Sequence, residues 1–302
     1  MSEPVAPKTV VGVGELLWDI SGGVRRPGGA PANVAFHAQQ LGDRGLVCSR
    51  VGRDPLGDEL IARLAAKTLA TDAIQVDPEH PTGVVTVERA RADQPSYHIR
   101  EDVAWDYVEF NERLHELMSG AAAVCFGTLA QRSPETRETI RRCLAAAANA
   151  VLVYDVNLRP PWYRREWIEQ SLQRCHIAKL NADEAGVLSS MLGVRLTTLP
   201  DFAAALCRRY ELELVCVTRA SAGCLLVSAT ETVDERGVSV RVVDAVGAGD
   251  AFSAGLIHSC LRRRPLASIA RFANGVGALV ARHVGAMPVL GAELAALKKE
   301  VW

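Results

Sequence analysis

Short β-rich apolar runs alternate with longer helical stretches along most of the chain. The pattern predicts strands over 9–13, 46–48, 122–126, 151–155, 177–180 and 214–218, and helices over 32–41, 134–148 and 199–210. Strands separated by helices need crossover connections. We therefore expect an α/β fold with a mostly parallel sheet covered by helices on both faces.

One region breaks this alternation. The stretches 83–88 and 96–100 are both strand-like, and polar residues occupy 91–95 between them. This pattern predicts a β-hairpin inside the α/β chain. Such a hairpin can cover a site at the edge of the sheet, and an exposed hairpin without that role is the alternative.

The composition limits the classes of function. The chain has 302 residues, 49% hydrophobic and 23% charged, which suits one large domain with a sizeable core. Its formal net charge of −1 gives no electrostatic basis for binding nucleic acid or an acidic membrane. The eight cysteines form no C-x-x-C pair and are expected to be buried in a reducing compartment. No signal peptide or apolar segment of about 20 residues is present, so we expect a cytoplasmic protein.

The segment from Asp244 to Asp250 reads Asp-Ala-Val-Gly-Ala-Gly-Asp and runs into a helical pattern at 251–257. Its two glycines free backbone N–H groups, and the first turn of a helix adds unpaired donors and the positive end of its dipole. Phosphoryl transfer needs such an anion site beside a proton acceptor. Asp is also a favoured helix N-cap, so Asp250 acting only as a cap is the alternative.

A second glycine-rich segment, Gly28-Gly-Ala-Pro-Ala-Asn33, precedes the first predicted helix. Its flexible backbone and the Asn33 amide could bond sugar hydroxyls. The alternative is a loop in which Pro31 lies near the helix start and Asn33 is the cap.

Polar residues also follow the predicted strands, where ligands bind in open parallel sheets. They are Asp19, Asn157, Arg159, Asn181, Glu184 and Arg219. Any loop contains polar residues, so it is their joint placement that predicts a site at this edge of the sheet.

With these segments the chain resembles the ribokinase-like carbohydrate kinases, the PfkB family, and within it the bacterial fructokinases. The matching segments are 14–19, 28–33, 51–57, 155–159, 181–184 and 244–250, followed by Ala273-Asn274 and Gly285-Ala286. The resemblance implies one ribokinase-like domain over 1–302: a three-layer α/β/α fold with a small β lid from about 20–27 and 82–104. It also implies ATP-dependent phosphorylation of a monosaccharide hydroxyl, with fructose as the sugar and with ATP, Mg²⁺ and K⁺ as cofactors.

The resemblance further implies a role for each matching residue. Asp250 would be the catalytic base, and Gly247, Ala248 and Gly249 would form the anion hole. The sugar would contact Asp19, Gly28, Gly29, Asn33, Arg100, Arg159 and Asp250. ATP would contact Asn181, Thr218, Arg219, Gly223, Gly247, Gly249 and Asn274. Glu184 would act on Mg²⁺ through water, and a K⁺ position would be formed by Asp244, Val246, Val280, His283, Gly285 and Val289.

Two positions depart from the family's pattern. Ala245 stands where the family usually has Thr, and Ala220 stands where it usually has Gly. If position 220 requires a positive φ, Ala220 carries strain of about 1 kcal/mol or more. Neither change touches Asp250.

Competing nucleotide-binding motifs fail on inspection. The chain has no Gly-x4-Gly-Lys-Ser/Thr loop and no His-Arg-Asp catalytic loop, and Gly12-Val-Gly14 lacks the third glycine of a dinucleotide fingerprint. Kinases for 2-keto-3-deoxygluconate, ribose or a nucleoside stay open as alternatives, as does a non-catalytic sugar- or nucleotide-binding regulator. We also expect that a homodimer could form through an exposed lid edge.

Overall fold

The computed structural model describes residues 6–88 and 96–302; the polar connection expected at 91–95 lies outside them. Within the described residues the strands are β1 (Thr9–Val13), β2 (Leu17–Ser21), β3 (Val24–Gly28), β4 (Arg44–Gly52), β5 (Ile74–Asp77), β6 (Gly83–Glu88), β7 (Ser96–Ile99), β8 (Ala123–Gly127), β9 (Val151–Asp155), β10 (Ile177–Asn181), β11 (Leu214–Thr218), β12 (Cys224–Val227) and β13 (Thr232–Glu235). The helices are α1 (Ala30–Gln40), α2 (Pro55–Ala66), α3 (Glu112–Ser119), α4 (Pro134–Ala146), α5 (Arg165–Leu172), α6 (Ala182–Leu192), α7 (Leu199–Tyr210), α8 (Ala248–Cys260), α9 (Leu266–Ala281) and α10 (Gly291–Val301).

The large sheet has nine strands in the order β13-β12-β11-β10-β9-β8-β1-β4-β5. Pairing is parallel from β11 through to β5, and β12 and β13 add an antiparallel edge. The parallel strands therefore end at one edge of the sheet, which gathers the residues that follow them.

Alternate residues of each central strand pack into separate cores on the two faces of the sheet. In β8, Val124 and Phe126 join one core, whereas Ala123 and Cys125 join the core formed with α8 and α9. Burial of each large apolar side chain contributes roughly 1.5–3 kcal/mol. The predicted three-layer α/β/α architecture with its mostly parallel sheet is confirmed.

A separate four-stranded sheet, in the order β3-β2-β6-β7, stands beside the large one. β2 pairs with β3 and β6 with β7 in antiparallel fashion, while β2 and β6 run parallel. Trp18 of β2 is fully buried and its indole Nε1 donates to the Leu56 carbonyl at 2.9 Å, which anchors this sheet to the body. We call this four-stranded sheet the lid.

Several boundaries and placements differ from the expectations. Asp19 was expected after the first strand but lies inside β2, because the lid strand starts at Leu17. α1 starts at Ala30, so Asn33 is inside the helix and Gly29 is its N-cap. Similarly, α8 starts at Ala248 with Gly247 as N-cap, so Asp250 lies in the first turn and does not cap the helix.

The cysteines bear out the expectation of buried apolar residues. All eight are free, seven are buried and Cys260 is half-buried. Among the helices of residues 6–88 and 96–302, none combines the length and apolar character needed to cross a lipid bilayer.

Candidate active site

A cavity of about 1100 Å³ separates the carboxyl edge of the large sheet from the lid. Twelve of the residues singled out from the sequence line it: Asp19, Gly29, Asn33, Arg159, Asn181, Thr218, Asp244, Val246, Gly247, Gly249, Asp250 and Gly285. Val85 and Ile99 of the lid complete the wall. The fold thus brings the two ends of the chain and the middle strand exits to one place.

Other predicted site residues lie around this cavity and do not line it. They are Gly28, Arg100, Glu184, Arg219, Gly223, Ala248, Asn274, Val280, His283 and Val289. Arg100 lies at the end of β7 and lines a second cavity of about 510 Å³ with the loop from Pro160 to Trp162. In this conformation Arg100 therefore faces away from the sugar position assigned to it.

The start of α8 presents backbone donors to the main cavity. Gly247 adopts φ 79°, which glycine tolerates at little cost, and it turns the chain into the helix. The Ala248 N–H donates to the Ala245 carbonyl at 3.2 Å. The N–H groups of Gly249 and Asp250 have no acceptor among the described residues. Since the first N–H groups of a helix bind anions readily, these two are the donors that a phosphoryl group would meet.

Asp250 is the carboxylate that contacts both ends of the site. Its Oδ2 accepts a hydrogen bond of 2.7 Å from Nδ2 of Asn33, although the two residues are 217 positions apart in the chain. Burial raises the pKa of Asp250, and the negative charge of Asp155 raises it further, while Lys179, Asn33 and Arg159 lower it. A raised pKa makes the ionised carboxylate a better proton acceptor.

Two more carboxyl groups lie at the lid end of the cavity. Burial and the charge of Asp250 raise the pKa of Asp19 to about 6, against a lowering by Arg159. A Cβ placed on Gly28 would lie 2.1 Å from Oδ2 of Asp19, so this glycine makes room for the carboxylate. Glu15 is 4% exposed, and its Oε1 accepts from the N–H of Ala30 at 3.2 Å. Burial raises the pKa of Glu15 to about 7.

Sequence reasoning assigned no role to four polar residues of this region: Glu15, Asp155, Lys179 and Ser253. Glu15 and Lys179 line the cavity, and Asp155 and Ser253 are buried behind it. Lys179 was visible as a charged residue within an apolar strand, a signal that could have marked it. Ser253 carried no such signal because it lies within an unremarkable helical pattern.

The proposed nucleotide end surrounds the turn from Arg219 to Gly223. Thr218 lines the cavity, whereas the Arg219 guanidinium pairs with Asp234 of β13. Asn274 of α9 donates from Nδ2 to the Arg236 carbonyl at 3.2 Å. A Cβ on Gly223 would meet the Glu235 carbonyl oxygen at 2.1 Å, so glycine is required by this close backbone approach.

Ala220 adopts φ 48°, which confirms the strain expected where the family has glycine. We predict that Ala220→Gly raises the free energy of unfolding by about 1 kcal/mol, because glycine adopts this conformation without the Cβ clash. Urea unfolding measures it. Ala222→Gly, in the same exposed turn but without a positive φ, is the control and should destabilise instead. Equal destabilisation by both variants would contradict the prediction.

Asn181 and Glu184 begin α6 with reciprocal hydrogen bonds. Oδ1 of Asn181 accepts from the Glu184 N–H at 2.8 Å, and Oε2 of Glu184 accepts from the Asn181 N–H at 2.8 Å. Oε1 of Glu184 also accepts from the Leu158 N–H. The buried Glu184 carboxylate is thus held by two backbone donors, which leaves further lone pairs available to a hydrated cation and makes direct ligation unnecessary.

The residues assigned to K⁺ are only partly brought together. Asp244 accepts from the N–H groups of Val246 at 3.1 Å and Gly285 at 2.9 Å, so these three form one wall of the cavity. The Val280 carbonyl accepts from the His283 N–H at the end of α9, and Val289 is 74% exposed. The described residues contain no group of three or more His, Cys, Asp or Glu side chains that could hold a metal ion.

His37 of α1 secures the segment against which Gly247 packs. Its Nε2 donates to the Ala286 carbonyl at 2.8 Å, which fixes the neutral tautomer with the proton on Nε2. Burial lowers the pKa of His37 from 6.5 to about 4. The unfolded chain therefore binds more protons than the folded chain between these values, and this contribution to stability is lost as the pH falls from 6.5 towards 4.

We predict that changing the pH from 7 to 5 destabilises the wild type by about 2 kcal/mol more than His37→Gln, whose amide can still donate to Ala286. Urea unfolding of both proteins at each pH gives this difference. The comparison is needed because the raised pKa of Glu15 gives the opposite slope and is common to both proteins. The same measurement on His115→Gln, at an exposed position of α3, gives the baseline. A pH-independent difference between wild type and His37→Gln would refute the assignment.

Comparisons with known proteins place this geometry among sugar kinases. Residues 8–291 match the family described as pfkB family carbohydrate kinase. A fructokinase of Vibrio alginolyticus is 30% identical over 278 residues, which cover 87% of this chain and 88% of that protein. The crystal structure of an uncharacterized sugar kinase from Pyrococcus horikoshii in complex with ATP is 28% identical, with a TM-score of 0.82 and coverage of 97% and 99% of the two chains.

A fructokinase double mutant from Vibrio cholerae, solved with fructose, ADP and a potassium ion, has the same fold. It shares 22% identity and a TM-score of 0.83, with coverage of 98% of this chain and 99% of that one.

Proposed function

Because the chain belongs to the pfkB family of carbohydrate kinases and is an ATP-binding sugar kinase, we propose that its physiological reaction transfers the γ-phosphoryl group of ATP to a primary hydroxyl of fructose. The family match confirms the resemblance drawn from the sequence motifs. The observation that carries the proposal is the Asp250 carboxylate, oriented by Asn33 inside the cavity and next to two free N–H groups of α8.

The reaction follows from this geometry. The sugar binds between the lid and α1, where Asp19, Asn33 and Arg159 supply acceptors and donors for its hydroxyls. Asp250 accepts the proton of the attacking hydroxyl as that oxygen bonds to phosphorus and the bond from phosphorus to the ADP oxygen breaks. The N–H groups of Gly249 and Asp250 stabilise the charge on the phosphoryl oxygens. Lid strands over the cavity exclude water, which would otherwise accept the phosphoryl group.

The cation requirements form part of the proposal. Mg²⁺, when bound, would neutralise phosphate charge, and the Glu184 carboxylate fits contact with it through water because both of its oxygens are already hydrogen-bonded to the backbone. K⁺ would use the wall of Asp244, Val246 and Gly285, beside the start of α8. Neither cation is required to hold the protein side chains described here in place.

The sugar is the part of the proposal that the site supports least narrowly. The sequence identity to fructokinases is 30% at most among the relatives described above, and the lid segment that covers the sugar position is short. Arg26 and Arg159 both line the cavity, so an acidic sugar such as 2-keto-3-deoxygluconate is the second candidate. Its carboxylate would pair with one of these guanidinium groups.

A coupled assay of ADP release tests the proposal over fructose, 2-keto-3-deoxygluconate, ribose and a nucleoside, each with and without K⁺. We expect the highest kcat/KM with fructose. A preference for 2-keto-3-deoxygluconate that is abolished by Arg159→Gln or Arg26→Gln would transfer the assignment to the acidic sugar. Binding of sugar and ATP without turnover across the whole panel would favour a regulator instead.

A further inference from the structure

A lysine occupies the centre of the large sheet, directly behind the start of α8. Lys179 lies in β10, whose other residues up to Leu180 are apolar and buried. β9 and β10 are parallel, and their register places Lys179 opposite Asp155. Nζ of Lys179 is 3.0 Å from both carboxylate oxygens of Asp155, and the two side chains are 8% and 3% exposed. An ion pair this deeply buried is costly to form and rarely improves stability over apolar packing, so a role in the site is the better account.

The pair contacts the first turn of α8 in two ways. The Ser253 hydroxyl lies 3.0 Å from Oδ2 of Asp155 and 3.0 Å from the Gly249 carbonyl, and can donate to either. A Cβ built on Gly249 would lie 3.2 Å from Nζ of Lys179, so the ammonium group sits directly behind this glycine. The N–H of Gly249 is one of the two free donors of the proposed anion hole. Lys179 and Asp155 thus support the backbone that would meet the phosphoryl group.

The charges around Asp250 give Lys179 a second effect. Asp155, Glu15 and Asp19 are the acidic groups that act on Asp250, and Lys179 and Arg159 are the basic ones. Asn33 adds a neutral donor from α1. Asp155 and Lys179 act on Asp250 in opposite directions: the first raises its pKa and the second lowers it. The pKa of Lys179 itself is raised despite burial, because Asp155, Asp250 and Glu184 hold its proton.

We propose that Lys179 is a positioning residue of the phosphoryl-transfer site: paired with Asp155, it fixes the Gly249 turn of α8 and supplies the buried positive charge that keeps Asp250 anionic. This inference rests on the proposed role of Asp250 as the base. Its charge component can be measured without any sugar, which separates its failure from a failure of the proposed function.

Three variants bracket the effect. Lys179→Met leaves Asp155 as an unpaired negative charge, and should raise the pKa of Asp250 by about one unit or more. Asp155→Asn leaves Lys179 unpaired and should lower it. The double variant removes both charges and should return the pKa towards that of the wild type. ¹³C NMR of labelled aspartate, with Asp250→Asn to assign the Asp250 carboxyl signal, gives the pKa in each protein without substrate.

Turnover should follow the same order. In Lys179→Met the acid limb of the kcat/KM profile should move to higher pH by the same amount as the measured pKa, so the loss of about tenfold near pH 6 shrinks as the pH rises. Lys298→Met removes a half-buried lysine of α10 that contacts the Leu41 carbonyl, and as control it should leave the profile in place.

An unmoved Asp250 titration in Lys179→Met would overturn the proposal. If that variant does not fold, opposite shifts are still required of the others: an Asp250 pKa in Asp155→Asn that equals or exceeds that of the wild type would overturn it as well. An activity loss in Lys179→Met that is equal at every pH would reduce Lys179 to a structural residue.

Discussion

Asp250→Asn should lower kcat by roughly 10²–10⁴ while the fold and sugar binding are retained, because the amide cannot accept the proton of the attacking hydroxyl. The substitution is nearly isosteric, so the backbone N–H groups of Gly249 and Asp250 stay in place. Asn33 donates to the Oδ2 position at 2.7 Å in the wild type, and an amide oxygen at that position can accept the same hydrogen bond. Rates of ADP release give kcat, and calorimetric titration with the sugar gives the affinity.

Asp58→Asn is the matched control for this variant. Asp58 also lies in the first turn of a helix, α2, but its side chain is exposed and does not line the cavity. We expect wild-type turnover from it. Near-normal kcat in Asp250→Asn would exclude this carboxylate as the base, whatever the sugar.

Gly247→Ala should be the second large loss, of roughly 10² in kcat or more, because it disturbs the donors that meet the phosphoryl group. An added Cβ would lie 2.5 Å from Cα and 2.6 Å from Cβ of Ala286, distances that real contacts do not allow. The start of α8 or the Gly285–Ala286 segment must therefore shift. The φ of 79° adds backbone strain of about 1 kcal/mol to this steric cost.

Gly193→Ala separates the two costs. Gly193 ends α6 with a φ of 66°, and an added Cβ there meets nothing within 4 Å, so only the backbone strain is introduced. Urea unfolding should show a larger destabilisation for Gly247→Ala than for Gly193→Ala, and only the former should lose turnover. If both variants kept full turnover, the N–H groups at the start of α8 would not be the anion hole.

Much of the large sheet could be predicted because its strands are buried on both faces. Strands such as β9 and β11 are continuous apolar runs, and the predicted ranges 151–155 and 214–218 match the observed ones. The lid strand β2 was missed for the opposite reason. Leu17 and Trp18 are buried but Asp19 to Ser21 are half-buried, so the strand shows neither a continuous apolar run nor a clean alternation.

The candidate site was accessible from the sequence only where a local motif marks it. Gly247 to Asp250 and Gly28 to Asn33 could be found because turns and helix starts select their residues locally. Which backbone donors of α8 are free could not be predicted, since that depends on the Ala248 N–H turning to Ala245. The pairing of Lys179 with Asp155 depends on the register of β9 and β10, which sequence patterns leave undetermined.

The most direct test of the account is ³¹P NMR of a reaction containing fructose, ATP and Mg²⁺, run with the wild type and with Asp250→Asn. The account predicts that the wild type converts ATP to ADP with formation of one equivalent of a sugar phosphate, whose signal couples to the protons of a primary carbon. Asp250→Asn should form none in the same period. Release of inorganic phosphate without any sugar phosphate, or equal sugar phosphate from both proteins, would contradict it.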